Sequence, residues 1–184
     1  MTCIAGLVVD GKVYLGADSL GTSDSGGCST NTYKKLFRVG DFLIGCAGSP
    51  RACQVVNYTF NPPVYGDHRN DEKDPIAGYM VNRFVNDLHE CFKTAAGIKE
   101  EVKGYFLVGF SGRLFGVYPE DYQIEEDVIG YNAIGNGADL AMGSLHTSGR
   151  FSMSISHRRR IEMALEASEA HNANVQRPFI IESI

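Results

Sequence analysis

Three pairs of short apolar runs, each joined by a two-residue turn, constrain the fold of this chain more than any other feature. The turns are Asp10-Gly11, Gly40-Asp41 and Ser111-Gly112. Asp-Gly readily supplies the positive φ angles of a two-residue hairpin turn, and each flanking run has the length of a β-strand. We therefore predict three antiparallel hairpins, which pair residues 3–9 with 13–17, 36–39 with 42–46, and 105–110 with 114–118.

The helices are predicted between and after these hairpins. Asp74 can cap a helix whose first residue is Pro75, and apolar residues recur at every fourth position from 80 to 92 before Gly97 ends the pattern. Further helices are expected over 50–58, from near residue 137 and over 156–170, with strands ending at 134 and covering 179–181. Hairpins alternating with pairs of helices favour antiparallel sheets covered by helices.

Composition limits the classes of partner. The chain has 184 residues, 43% of them hydrophobic, which is enough to bury one sizeable core, so we expect one domain over 1–184. A formal net charge of -5 gives no general attraction to nucleic acid or to an anionic membrane, so neither is expected as a partner. No apolar run is long enough to cross a bilayer, and the first one has no basic flank typical of a signal peptide.

The cysteines give no metal or disulfide pattern. Their number is five, and their spacing matches neither a Cys-x-x-Cys pair nor a Cys/His metal site: Cys3, Cys28, Cys46, Cys53 and Cys91. We expect all five to be reduced packing residues in a reducing compartment, the cytoplasm. No metal or cofactor is expected.

Thr2 is the first candidate for chemistry, because it follows Met1 directly. Removal of Met1 would place a hydroxyl and a free α-amine on one residue, and an N-terminal amine is a base that can activate threonine. Many unrelated proteins begin with Met-Thr, so the dipeptide alone is weak evidence. Its position, at the start of a hairpin whose second strand ends in Gly16-Ala17-Asp18, strengthens the hypothesis.

An ordered set of short motifs resembles the β-type subunits of proteasomes, and most of all the bacterial HslV-type peptidase subunit. The motifs are Thr2, Gly16-Ala17-Asp18, Lys34-Lys35-Leu36, Gly45-Cys46-Ala47-Gly48 and Ile134-Gly135-Asn136-Gly137. The resemblance implies an α+β fold, a four-layer αββα sandwich of two antiparallel sheets flanked by helices, as in N-terminal-nucleophile hydrolases. It also implies homo-oligomeric rings that enclose the active sites, a ring ATPase unfoldase as partner and unfolded polypeptide as substrate.

The resemblance also implies a role for each motif. Thr2 would be the nucleophile, Lys35 would lie beside it, Asp18 would hold that lysine, and the backbone of Gly45 would form the oxyanion hole. Counting from Thr2 favours Lys34 as the lysine, whereas the Lys-Lys-apolar pattern favours Lys35. Strand alternation places Lys35 on the more apolar face, so we favour Lys35. Without the family, Asp18 and the lysines would be solvated and the glycines would mark a tight turn.

Substrate contacts follow from the same resemblance. The segment at Gly21 and Thr22 and the segment at Ala47 would pair with an extended peptide as an added β-strand. Leu43 and Ala47 would shape the first specificity pocket, which suggests a preference for apolar side chains.

Two departures from the family pattern affect the proton network. Asn136 stands where the family has serine, and Asn172 and Val175 stand where it has an aspartate and a serine. Asn136 can donate and accept hydrogen bonds but cannot relay a proton as a hydroxyl does. Three functions therefore remain open: a threonine endopeptidase, a catalytically silent ring-forming protein, and an N-terminal-nucleophile amidohydrolase of small amides. The basic cluster 157–160 is either a solvated helix face or a contact with a neighbouring subunit.

Overall fold

A computed structural model describes residues 2–22, 28–30, 34–66, 73–95, 104–151 and 154–184. The strands are β1 Cys3–Val9, β2 Lys12–Ala17, β3 Leu20–Thr22, β4 Cys28–Thr30, β5 Leu36–Val39, β6 Phe42–Gly48, β7 Gly104–Phe110, β8 Arg113–Tyr118, β9 Gln123–Glu126, β10 Tyr131–Gly135 and β11 Ile180–Ser183. The helices are α1 Pro50–Tyr58, α2 Pro75–Tyr79, α3 Val85–Ala95, α4 Ala138–Gly149 and α5 His157–His171.

The strands form two main sheets and a small ribbon. One sheet has the order β10-β1-β2-β11, the other the order β5-β6-β7-β8-β9, and β3 pairs with β4 in the ribbon. Every pairing is antiparallel. The three predicted hairpins are present as β1–β2, β5–β6 and β7–β8. Neither the pairing of β3 with β4 nor β9 was predicted from the sequence.

Three apolar clusters hold four layers together. The middle cluster joins the two sheets and contains Ile4, Leu15, Leu43 and Leu107. A second cluster packs α4 and α5 on the sheet of β1, and a third packs α1, α2 and α3 on the sheet of β6. The order of layers is therefore helices, sheet, sheet, helices, which confirms the predicted αββα sandwich.

The helical region over residues 75–95 is interrupted by a π-helical turn, Met80–Phe84. The four predicted apolar positions are all buried: Met80, Phe84, Leu88 and Phe92. In a regular α-helix, steps of four residues drift by about 40° each around the axis. The wider π turn reduces that drift and keeps the four side chains on one face. The helix ends at Ala95, and Gly97 lies outside the described residues.

Cys46 and Cys53 are joined by a disulfide bond, so the prediction of five reduced cysteines is wrong for this pair. Cys46 lies in β6 on the face turned toward the helices, and Cys53 lies in the first turn of α1. The tight connection at Ser49 brings their Cα atoms to 5.7 Å, a normal disulfide separation. Cys3 and Cys91 are free thiols, and the side chain of Cys28 lies outside the described part.

Among the helices that the structure describes, none is both long enough and apolar enough to cross a membrane.

Candidate active site

Thr2 lies immediately before β1 and is only 4% exposed. Its carbonyl oxygen accepts a hydrogen bond from the Gly137 amide at 3.3 Å. Gly135 has a φ of +91°, and a Cβ at that position would lie 2.3 Å from the Thr2 carbonyl oxygen. Only glycine fits this position without displacing Thr2, so the turn after β10 fixes the backbone of the candidate nucleophile.

Asp18 connects the segment of Thr2 to a lysine. This residue follows β2, and its carboxylate accepts hydrogen bonds from the Cys3 amide at 2.9 Å, the Leu20 amide at 3.0 Å and Lys35 Nζ at 2.8 Å. In return the Asp18 amide donates to the Cys3 carbonyl oxygen at 3.2 Å. One buried carboxylate thus fixes the backbone directly after Thr2 and the position of the lysine.

Lys35 and Asp18 form a buried ion pair, with side-chain exposures of 2% and 0%. Burial lowers the pKa of Lys35, and the attraction of Asp18 opposes that shift. Because a buried charge needs a partner, Asp18 is what permits a cation at this depth.

Lys34, in contrast, is exposed. Strand alternation was nevertheless the wrong reason for favouring Lys35. Phe37 packs toward the helices in the cluster around α1–α3, whereas Lys35 lies before β5 begins and turns toward Asp18.

The glycine-containing segment lies at the end of β6. A Cβ at Gly45 would lie 2.4 Å from Cγ2 of Ile4, so close packing between the sheets requires glycine there. The Cys46 amide donates to the Lys35 carbonyl oxygen at 2.8 Å, which ties this segment to the ion pair. Gly48 has a φ of +118°, a left-handed conformation that favours glycine.

The four predicted substrate-binding residues lie in different environments. Leu43 is fully buried in the cluster between the sheets, so it contributes to the core and has no surface open to a ligand. Ala47 belongs to the same cluster and is 2% exposed. Gly21 is in β3, opposite Ser29. For Thr22 only the backbone is described, and Met1 lies outside the described residues.

The two asparagines that depart from the family pattern contact each other. Asn172 donates from Nδ2 to the Asn136 carbonyl oxygen at 2.7 Å, and its Oδ1 accepts from the Asn174 amide at 2.9 Å. The side chain of Asn172 therefore supports the turn that holds Thr2. Val175 is buried against the same region and belongs to the core under α4 and α5.

Sequence reasoning missed Ser168, which lies behind that turn on α5. Its hydroxyl lies 2.8 Å from the Gly137 carbonyl oxygen, and Cys3 Sγ lies 3.4 Å from Ser168 Oγ. No motif marks a serine in the middle of a helix, so only the fold could identify it. Burial raises the pKa of the Cys3 thiol to about 11, which favours its neutral form.

Chemically, the arrangement offers a fixed threonine, a cation held at 2.8 Å from a carboxylate, and a glycine-containing strand end in β6. No three His, Cys, Asp or Glu side chains in the described ranges come together in a way that could hold a metal ion.

No protein-family model matches the sequence, and a search of curated proteins found no similar sequence. Solved structures, in contrast, match over the whole chain. The BPH protein of Thiobacillus denitrificans in complex with epoxomicin has a TM-score of 0.78 at 18% identity, covering 100% of this chain and 98% of that one.

Two other groups of structures match as well. The eukaryotic HslV of Trypanosoma brucei has a TM-score of 0.62 at 15% identity, covering 99% of this chain and 98% of that one. The Anbu complex of Pseudomonas aeruginosa, solved as a helical assembly, has a TM-score of 0.65 at 14% identity, covering 100% of this chain and 81% of that one. The two antiparallel sheets flanked by helices are thus a fold that this chain shares with HslV and Anbu.

Proposed function

We propose that this chain is the subunit of a threonine-type endopeptidase, in which Thr2 becomes the N-terminal nucleophile once Met1 is removed. One observation carries the proposal. The Asp18 carboxylate binds both the amide of Cys3, next to Thr2, and the ammonium of Lys35. Burying an acid and a base costs desolvation free energy, and apolar side chains could join three strands of two sheets without that cost. A catalytic task accounts for the charged pair.

The chemistry follows from these positions. The hydroxyl of Thr2 adds to the scissile carbonyl carbon, and its proton passes to the residue's own α-amine, directly or through a water. The resulting oxyanion is stabilised by the backbone amide of Gly45. The peptide C–N bond then breaks, the leaving amine takes the proton, and the ester left on Thr2 is hydrolysed by water.

Lys35 contributes through its charge. The proposal puts the Lys35 ammonium close to Thr2, where a fixed positive charge favours the neutral form of the α-amine and the anionic form of the hydroxyl. Since nucleophile and base lie on one residue, proton transfer is intramolecular and needs no histidine. Asp18 would hold the lysine, and the backbone amide of Gly45 would donate to the oxyanion. Asn136 would lie beside the α-amine of Thr2. Gly21, Thr22 and Ala47 remain the proposed substrate contacts, whereas Leu43 is enclosed between the sheets.

Assembly into rings of identical subunits is part of the proposal, with a ring ATPase unfoldase as partner and unfolded polypeptide as substrate. The support is the shared fold and the helical assembly of the Anbu complex. The main alternative function is a catalytically silent structural protein. The side-chain amide of Asn172 already bonds to the Asn136 carbonyl oxygen and the Asn174 amide, so it has a structural role.

Hydrolysis of fluorogenic peptides tests the proposal, with a small amide such as glutamine as the competing substrate. We expect peptide cleavage by the purified oligomer and none by Thr2→Ala. Cleavage of the small amide alone, by a monomer in native mass spectrometry, would favour the amidohydrolase. Equal peptide cleavage by Thr2→Ala would exclude Thr2 as nucleophile.

A further inference from the structure

The basic cluster at the start of α5 is not a uniform solvated face. Arg158 donates from Nη1 to the Ile181 carbonyl oxygen at 2.9 Å. Arg159 pairs with Glu162 at 2.8 Å and with Glu166 at 3.1 Å. Arg160 instead turns inward and is 5% exposed. The three arginines therefore have three different environments, and only the third is buried.

Arg160 is held by neutral groups. Its Nε donates to Ser148 Oγ at 3.3 Å and its Nη2 donates to the Leu145 carbonyl oxygen at 3.2 Å, both on α4. Among the residues that the structure describes, no carboxylate pairs with this guanidinium. The group has five N–H donors, so these two contacts leave donors available. Burial lowers the pKa of Arg160, as expected for a buried cation that lacks a counter-ion.

A cavity of about 380 Å³ opens beside this guanidinium. Its walls are the last residues of β1 (7–9), the segment 129–131, Gly149, His157 and Arg160. The volume lies in the range of small-molecule sites. Residues 7–9 lie five to seven positions along the strand from Thr2, roughly 17–23 Å away at the rise of a β-strand. The cavity is therefore separate from the candidate active site.

The chemistry of the cavity selects among ligands. The walls from β1 are aliphatic, the cation is a guanidinium that suits a planar carboxylate, and the amino end of the fifteen-residue helix α5 adds partial positive charge. Arg158 and Arg159 are engaged elsewhere, so Arg160 is the one arginine or lysine among the described residues that line the cavity. A multiply charged phosphate would find too few cations there.

We propose that this cavity binds a small organic carboxylate with an apolar body, its carboxylate on Arg160 and its body against the end of β1. The proposal does not rest on the peptidase activity of Thr2. It gives the buried arginine the counter-ion that the described residues do not supply.

Fluorine NMR of 4-fluorobenzoate tests this, since line broadening of a small probe can be read even with a large oligomer. We expect 4-fluorobenzoate to bind the wild-type protein at least tenfold more tightly than 4-fluorobenzamide, which has the same shape without the charge. Arg160→Met should weaken binding of the acid at least tenfold. Arg159→Met, which removes a neighbouring exposed arginine, should leave it unchanged.

The comparison of acid with amide uses only the wild-type chain, so it holds even if Arg160→Met does not fold. Equal binding of acid and amide, or no binding of the acid, would overturn the proposal. So would equal losses in Arg159→Met and Arg160→Met. Displacement of the probe by inorganic phosphate as readily as by benzoate would show that the apolar walls select nothing, which also contradicts it.

Discussion

The buried pair of Asp18 and Lys35 makes a sharp prediction about stability. In Asp18→Asn, the amide oxygen can still accept from Cys3 and Lys35, but the NH2 group then faces the Leu20 amide, a donor against a donor. The Lys35 ammonium also loses its counter-ion. Breaking a buried pair in this way costs about 3–5 kcal/mol in free energy of unfolding.

Removing Lys35 should lower the free energy of unfolding less than removing the charge of Asp18. In Lys35→Met the carboxylate of Asp18 keeps two backbone donors, Cys3 and Leu20. The double variant has no unpaired buried cation, so it should be more stable than Asp18→Asn alone. The expected order of stability is wild type, Lys35→Met, the double variant, and Asp18→Asn.

Urea unfolding at one protein concentration gives the free energy of unfolding of the wild type, the two single variants and the double variant, which form a double-mutant cycle. Lys34→Met is the matched control, because Lys34 is exposed. The control should stay within about 0.5 kcal/mol of wild type. Losses that simply add in the double variant would refute the reasoning, since they would mean that the two side chains do not share one interaction.

Two further predictions concern the turn after β10 and the half-buried acid Asp127. Gly135→Ala should lower the free energy of unfolding by about 2 kcal/mol or more, because a Cβ would lie 2.3 Å from the Thr2 carbonyl oxygen at a positive φ. The displaced Thr2 should also react more slowly with electrophiles. Urea unfolding measures the first effect and the rate of labelling measures the second. Burial raises the pKa of Asp127 to about 6, so the native state disfavours its charge. Stability should fall as pH rises from about 4 to 6, and Asp127→Asn should raise the melting temperature at pH 7 but not at pH 4.

The sequence was sufficient for the main architecture, because the signals involved are local. Two-residue turns define the hairpins, and the Asp74-Pro75 start defines the long helix. The ordered motifs around Thr2, Asp18 and Lys35 gave the candidate site, since each motif lies at the end of a strand or beside one.

Other features depend on how strands and helices pack against one another, which the turn and helix signals in the sequence do not specify. Cys46 and Cys53 meet only because β6 turns directly into α1. Ser168 reaches the turn at Gly137 from a helix 31 positions later in the chain. Leu43 was predicted to line a substrate pocket, yet it faces the opposite sheet, since alternation along β6 places it with the inter-sheet core.

Intact mass spectrometry of the protein after reaction with a threonine-directed electrophile tests the central claim most directly. We expect a subunit that has lost Met1 and carries one equivalent of label on Thr2, with no label on Thr2→Ala. A subunit that has lost Met1, is correctly assembled and takes up no label would contradict the claim, and would identify this chain as a silent member of its fold.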